Sequence, residues 1–383
     1  MAHMTERDRH RGWFAAHTWR LAFGVFMVLG NWGSAVQAED MTGHGCFASV
    51  HNQAFGRGLG LQNWRKHVKL MKAHGMNTFA IYVKTPEDLA TQIDIAIEEE
   101  MLESSIPIFV LMESSSAVHK RVIPDWEEVV KAETPLRVER RGHVAVMEKA
   151  REIAKYPRQW PELIPYNDDE PGKGKAGADM TGVGQITAAY NEAGYRCGTS
   201  VYGPNVKEAI PFLDVVAVGA LIGGDLRGCK QAIADAGKEF WVYDPNGHVL
   251  KPKMVRWQVG YWTWQVQPRS HLTWLWTSFI TGDMADPQPT ERLRSYAEGV
   301  RDFKIMTKAE ERVDRRLAKH GKVPPRMQAA ADRLKELRAK FDWEGRPVKA
   351  WHVAAATGKP WDLEPKIDLD ELRRVAERAI AED

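Results

Sequence analysis

Short apolar runs alternate along the chain with longer stretches in which apolar residues recur at helical spacing. The runs predict strands at 46–51, 78–83, 106–112, 163–167, 196–202, 215–220, 240–243 and 260–266. Between the first two, residues 63–74 carry apolar side chains at 64, 68, 70 and 71, an amphipathic helical pattern. The same theme returns at 143–155, 182–193 and 230–238. Strands that alternate with helices predict βαβ units on a parallel sheet. Eight such units over about 250 residues match the size of a closed (β/α)8 barrel of the TIM type. An open doubly wound sheet competes, but it wants a glycine-rich dinucleotide turn after the first strand. Gly56-Arg57-Gly58-Leu59-Gly60 supplies only GxGxG, which reads better as an extended loop at a barrel mouth.

After the last predicted strand the pattern turns helical and charged. Residues 290–316 predict one long amphipathic helix, and 324–341 open with the prolines that a helix N-terminus tolerates. A looser stretch, 342–365, holds Gly345, Pro347, Gly358 and Pro360. The chain closes with a helix over 368–381, with Asp368 or Asp370 as its N-cap. The predicted organisation is a leader over 1–38, a barrel over 39–316 and a C-terminal helical extension over 317–383 packed on the barrel.

The leader changes the charge picture. Its basic segment ends at Arg20, an apolar run 21–29 too short to span a bilayer follows, and Val36-Gln37-Ala38 forms a small-residue cleavage site. This pattern predicts a secretory signal peptide and export to a periplasmic or extracellular space; an uncleaved anchor is the other reading. The whole chain has 53 Lys+Arg and 51 Asp+Glu. Removing Arg7, Arg9, Arg11 and Arg20 against Glu6 and Asp8 leaves 49 of each. A neutral mature chain gives no reason to expect a nucleic acid or membrane partner. Cys46, Cys197 and Cys229 allow at most one disulfide, and buried free thiols are the plainer expectation.

Barrel chemistry sits at the C-terminal ends of strands, and one predicted strand end stands out: Leu163-Ile164-Pro165-Tyr166-Asn167-Asp168-Asp169-Glu170-Pro171-Gly172. Three adjacent acids there are costly unless solvated or functional, although acids before Pro-Gly are also ordinary turn chemistry. Two carboxylates at a strand end suit glycosidic bond cleavage, one protonated by its charged neighbour and the other stabilising positive charge. Tyr166, Asn167 and Asp168 become substrate-binding candidates, as does Glu113, the acid that ends the third strand. Twelve of the fifteen tryptophans lie beyond the leader. Trp241, Trp262 and Trp264 are candidates to stack on pyranose rings, with Trp274 and Trp276 nearby, unless they fill the barrel core.

The Asp169-Glu170-Pro171 motif after a strand resembles the signature of glycoside hydrolase family 123 and of the related domain family of unknown function 4091. The strand end Trp241-Val242-Tyr243-Asp244-Pro245-Asn246-Gly247 is similar too, as are the aromatic run 260–266, the Arg294-led helix with Gly299 and Asp302, and the closing helix 369–380. The resemblance covers nearly all of the mature chain. It implies a retaining N-acetylhexosaminidase, of the β-N-acetylgalactosaminidase type, with substrate-assisted catalysis and no cofactor. Glu170 would be the acid/base. Asp169 would hold the acetamido group, whose carbonyl oxygen attacks the anomeric carbon, with Tyr243 and Asn246 in contact with it. The β-sandwich usual before the family 123 barrel is missing, and Asp168 offers a second register.

Other classes fit less well. A non-catalytic carbohydrate-binding barrel would keep the aromatics. A metal hydrolase has only His44, Cys46 and His51 to draw on, without HExxH or HxH spacing. The segment 172–177 lacks the GK[ST] of a P-loop, and GxSxG is absent. Lys173 and Lys175 could draw an anionic saccharide to the mouth or could simply be solvated.

Overall fold

A computed structural model describes residues 42–51, 58–167, 171, 180–201, 205–219, 225–244, 250–339 and 367–381. Eight parallel strands form the body: β1 (Gly43–Ser49), β2 (Thr78–Val83), β3 (Ile108–Met112), β4 (Leu163–Pro165), β5 (Gly198–Val201), β6 (Val215–Gly219), β7 (Glu239–Asp244) and β8 (Ser270–Thr273). Hydrogen-bonded neighbours run β4-β3-β2-β1-β8-β7-β6-β5. The two ends of that order meet, among the described residues, in a single bridge, Tyr166 with Gly198, where Asn167 N donates to Gly198 O at 2.8 Å. The result is the expected (β/α)8 barrel.

Alternation along each strand divides the side chains. Phe47, Ala80, Phe109, Ile164, Ala217, Trp241 and Leu272 fill the barrel interior. Cys46, Phe79, Ile81, Ile108 and Val110 face outward under α1 (Trp64–Ala73) and α2 (Pro86–Glu98), while Val216 and Val242 form a second outer cluster. β1 needs glycine where the strands approach. A Cβ on Gly45 would lie 2.3 Å from the Thr78 carbonyl oxygen of β2.

Two short helices were not expected from the pattern, α3 (Ser116–Val122) and α4 (Trp126–Ala132), nor was the start of the long α5 (Pro135–Ile153), which begins well before 143 because Thr134 caps it. The outer ring continues with α6 (Met180–Glu192), α7 (Val206–Ala209) and α8 (Leu226–Asp235).

The last strand corrects the sequence reading. Residues 260–266 are helical: α9 (Pro252–Trp257) passes through a π-helical turn, Gln258–Trp262, into α10 (Thr263–Val266). The run looks strand-like because aromatics alternate, yet it is buried on every side. Tyr261 and Trp264 face the C-terminal helices, and Trp262 and Val266 face the barrel wall. A short all-round apolar segment carries no period that separates helix from strand. The true β8 reads polar because His271 points out to the helical layer, where its Nδ1 lies 2.7 Å from Thr263 Oγ1.

A two-stranded ribbon, β9 (Ile280–Asp283) with β10 (Asp286–Pro289), precedes α11 (Glu291–His320). That helix runs through the expected boundary at 316 and stops at Gly321, which adopts φ 67°. α12 (Pro325–Ala339) and the C-terminal helix Leu369–Ala381 pack with Tyr261 and Trp264 outside the barrel. Asp368 Oδ1 caps the last helix, accepting from Asp370 N and Glu371 N at 2.9 and 3.0 Å. Asp302 of α11 is buried and accepts from Arg256 Nε at 2.7 Å and from Arg373 Nε at 2.5 Å, so one carboxylate joins α9, α11 and the C-terminal helix.

All three cysteines are buried free thiols. Burial pushes the Cys197 thiol up to about 12 and Cys46 higher still. No helix among the described residues is long and apolar enough to cross a membrane.

Candidate active site

At the C-terminal end of the barrel the inward positions are aromatic. Phe47 sits in the middle, with ring centroids 5.2 Å from Tyr243, 5.4 Å from Trp274 and 6.0 Å from Tyr166. Tyr82 meets Trp274 edge-on at 6.5 Å. Edge-to-face pairs of this kind hold rings rigidly. Tyr166 is fixed further: its hydroxyl lies 2.5 Å from Ser200 Oγ and accepts from Ser200 N at 3.4 Å. Trp274 and Leu275, joined by a cis peptide, follow β8, and Trp274 N donates to Asp244 O at the end of β7.

The strand end that carries the acids is anchored on both flanks. Asn167 is buried, and its Nδ2 donates to Val183 O at 3.0 Å and Thr187 Oγ1 at 2.9 Å, both on α6. It therefore faces the helical layer and holds β4 to α6, rather than facing a ligand. Pro171 is buried on the other flank, and its carbonyl accepts from Asn205 Nδ2 at 3.4 Å. Asp168, Asp169, Glu170 and Asn246 lie outside the described residues, as do the leader and the segment 172–177.

The other candidates divide. Tyr166 and Tyr243 belong to the aromatic mouth. Glu113 is exposed at its rim, where its backbone N donates to Val83 O at 2.8 Å and continues the β2–β3 ladder. Trp241 is fully buried lower in the barrel, packed at 4.4 Å on Phe109, and its Nε1 donates to Glu239 at the start of β7. It fills the core. Trp262 and Trp264 lie outside the barrel wall. Trp264 donates to Glu310 Oε2 at 2.9 Å and lies under the Arg338 guanidinium at 4.2 Å, a packing site for the C-terminal helices. His44, Cys46 and His51 do not converge: His44 and Cys46 face outward lower on β1, and His51 follows its C-terminal end. Among the described residues no group of three His, Cys, Asp or Glu is placed to hold a metal.

No family model matches the chain, and no curated protein matches it. Solved structures that match include N-acetylneuraminate lyase from Mycoplasma synoviae, at 9% identity over 90% of this chain and 98% of the other, with a TM-score of 0.35. A GH113 β-1,4-mannanase matches at 11% identity over 67% of this chain and 99% of its own, with a TM-score of 0.39. The pneumococcal virulence factor StrH matches at 10% identity over 90% and 99%, again with 0.39. Likenesses this distant carry no information about activity.

Sequence reasoning missed Phe47, Tyr82 and Ser200 as mouth residues and named Trp274 only beside the tryptophans it put forward. The usable signal was position: each lies within the last few residues of a strand or just beyond it. Placing the final strand at 260–266 drew attention to Trp262 and Trp264 and away from Trp274. Asp244, buried at the end of β7, shares the outward parity of Val242 and so, like Asn167, is turned from the mouth.

Proposed function

We propose that the protein is a glycoside hydrolase working at this mouth, with Glu170 as acid/base and Asp169 as its partner. One observation supports the reading: Asn167, which precedes the three acids in the chain, is anchored to α6, and its neighbour Tyr166 belongs to a rigid aromatic rim. Aromatic faces with polar edges suit pyranose rings, which are amphipathic themselves. A carboxyl group beside other carboxylates keeps its proton to higher pH, as donation to a leaving oxygen requires. On the resemblance to family 123, the substrate's acetamido oxygen attacks the anomeric carbon while Glu170 protonates the departing oxygen. Asp169 orients and polarises that acetamido group, and Glu170 then takes a proton from the water that opens the intermediate. The configuration is retained. The same reading takes residues 1–38 as an export signal and the partner as an oligo- or polysaccharide.

The test is a panel of chromogenic N-acetylglucosaminides, N-acetylgalactosaminides and unsubstituted glycosides. Glu170→Gln should lower kcat by about two to four orders of magnitude, the scale of lost general acid–base catalysis, with little change in thermal midpoint. Hydrolysis undiminished in that variant overturns the assignment. Saccharide binding without any turnover in the parent favours a carbohydrate-binding barrel instead.

A further inference from the structure

Above the aromatic floor at Phe47, β1 ends in a pinned turn. Ser49 Oγ accepts from His51 N at 3.2 Å and donates to His51 O at 3.1 Å. The chain returns alongside: Leu59 N donates to Ser49 O and Gly60 N to Val50 O, both at 3.0 Å. The His51 ring is held as firmly as its backbone, with Nε2 2.9 Å from Asp88 Oδ2. Asp88 is itself placed by the Thr85 cap of α2, whose hydroxyl accepts from Asp88 N at 3.1 Å. In that first helical turn the partial positive charge of the helix end favours the carboxylate.

A carboxylate partner keeps the ring proton on Nε2 and leaves Nδ1 as a lone-pair acceptor. Nδ1 has no partner among the described residues, and the side chain is 23% exposed. A histidine needed only to tie β1 to α2 has no use for a fixed tautomer. We infer that His51 is a substrate-positioning residue, whose Nδ1 accepts a hydrogen bond from a sugar hydroxyl while Asp88 sets the tautomer. This rests on the saccharide reading of the mouth. It also narrows the substrate class, because an acceptor lone pair selects a hydroxyl at that position over a carboxylate or sulfate.

Three variants test it on whichever chromogenic glycoside the parent cleaves. His51→Gln can reach Asp88 from the Nε2 position but offers nothing at Nδ1, so KM should rise about tenfold, the scale of one hydrogen bond, with a smaller change in kcat. Asp88→Asn replaces the charged acceptor with an amide that can face Nε2 through its oxygen or its N–H, so the tautomer is no longer fixed and KM should rise by a smaller factor although the contact survives. His51→Asn puts an amide oxygen near the Nδ1 position and should recover most of the affinity. Unchanged KM in His51→Gln and Asp88→Asn overturns the inference. So does a parallel fall in kcat and thermal midpoint, which marks a structural tie. A parent that cleaves and binds no glycoside overturns the saccharide reading as well; an active parent with a parent-like His51→Gln overturns this inference alone.

Discussion

Taking the protein from pH 7.5 to pH 5 should remove about 2 kcal/mol of folding stability through His271 alone, and two further buried histidines lower it in the same direction. His44, His143 and His271 are 1%, 2% and 1% exposed. Burial depresses all three, His271 to about 3 and the other two well below the usual imidazole value. His44 and His271 are also register partners on β1 and β8, so a charge on one opposes a charge on the other. At pH 7.5 both folded and unfolded chains are neutral at these sites and nothing is lost. Below about 6.5 the unfolded chain takes up protons that the folded chain refuses, so stability falls as pH falls. For His271 the slope approaches about 1.4 kcal/mol per pH unit and persists to about 3, and His44 and His143 steepen it. His67 adds to this. Trp276 Nε1 donates to its Nδ1 at 3.0 Å, its Nε2 faces Met284 O at 2.9 Å, and burial lowers its pKa. Urea unfolding followed by tryptophan fluorescence at four pH values between 7.5 and 5 gives the slope directly. Paired carboxylates such as Glu98, pulled down to about 2, take up protons at lower pH and do not confuse this window. Replacing His143 or His271 by Gln should remove about one proton's worth of slope each. A slope below one proton in the parent, or an unaltered slope in both variants, refutes the reasoning.

Other changes separate core, clamp and mouth. Gly45→Ala forces a Cβ into the β2 backbone and should cost several kcal/mol, about 2 or more, seen as a lowered urea midpoint. Asp302→Ala removes the carboxylate that Arg256 and Arg373 share, leaving Arg256 with Asp370 and Arg373 with Glu298, and should cost about 1–3 kcal/mol, with faster proteolytic loss of the C-terminal helix. Trp274→Ala should raise KM for a saccharide about tenfold, within the 1–2 kcal/mol scale of one ring contact, whereas Trp264→Phe should lower the thermal midpoint and leave KM alone.

The barrel was legible because β2, β3, β4, β6 and β7 are largely apolar on both faces, as strands buried between a packed interior and a helical layer must be. β8 escaped because SHLT has one large apolar residue, Leu272, and its outward His271 is satisfied by Thr263 rather than by apolar packing. The site was legible only as strand ends. Tryptophan abundance could not tell Trp241 in the interior, Trp264 under Arg338 and Trp274 at the mouth from one another, because burial against protein and stacking on a sugar ask for the same side chain. Asn167 looked like a ligand contact by its position; its outward parity makes it a tie to α6. The contact between His51 and Asp88 spans 37 residues of sequence, and the β1 turn and the α2 cap together create it.

The ring of strands has one thin seam. Among the described residues, β1 and β8 share four register pairs across more than two hundred residues of chain, whereas β4 and β5, neighbours in sequence, share a single bridge at Tyr166 and Gly198. The chain thus makes its most distant pairing extensive and its nearest one slight. Joining β1 to β8 closes a very long loop, which is slow to find and adds only modestly to its entropy cost as the loop lengthens. Once that spine exists, the barrel resembles a cover bound along β1/β8 and clasped at β4/β5. Breathing motions that leave the spine intact will part the clasp first, and the clasp is the place from which the acidic run departs. Amide exchange at Asn167 N should then outpace exchange in the middle of β1, and ligand that bridges the β4 and β5 ends should slow it.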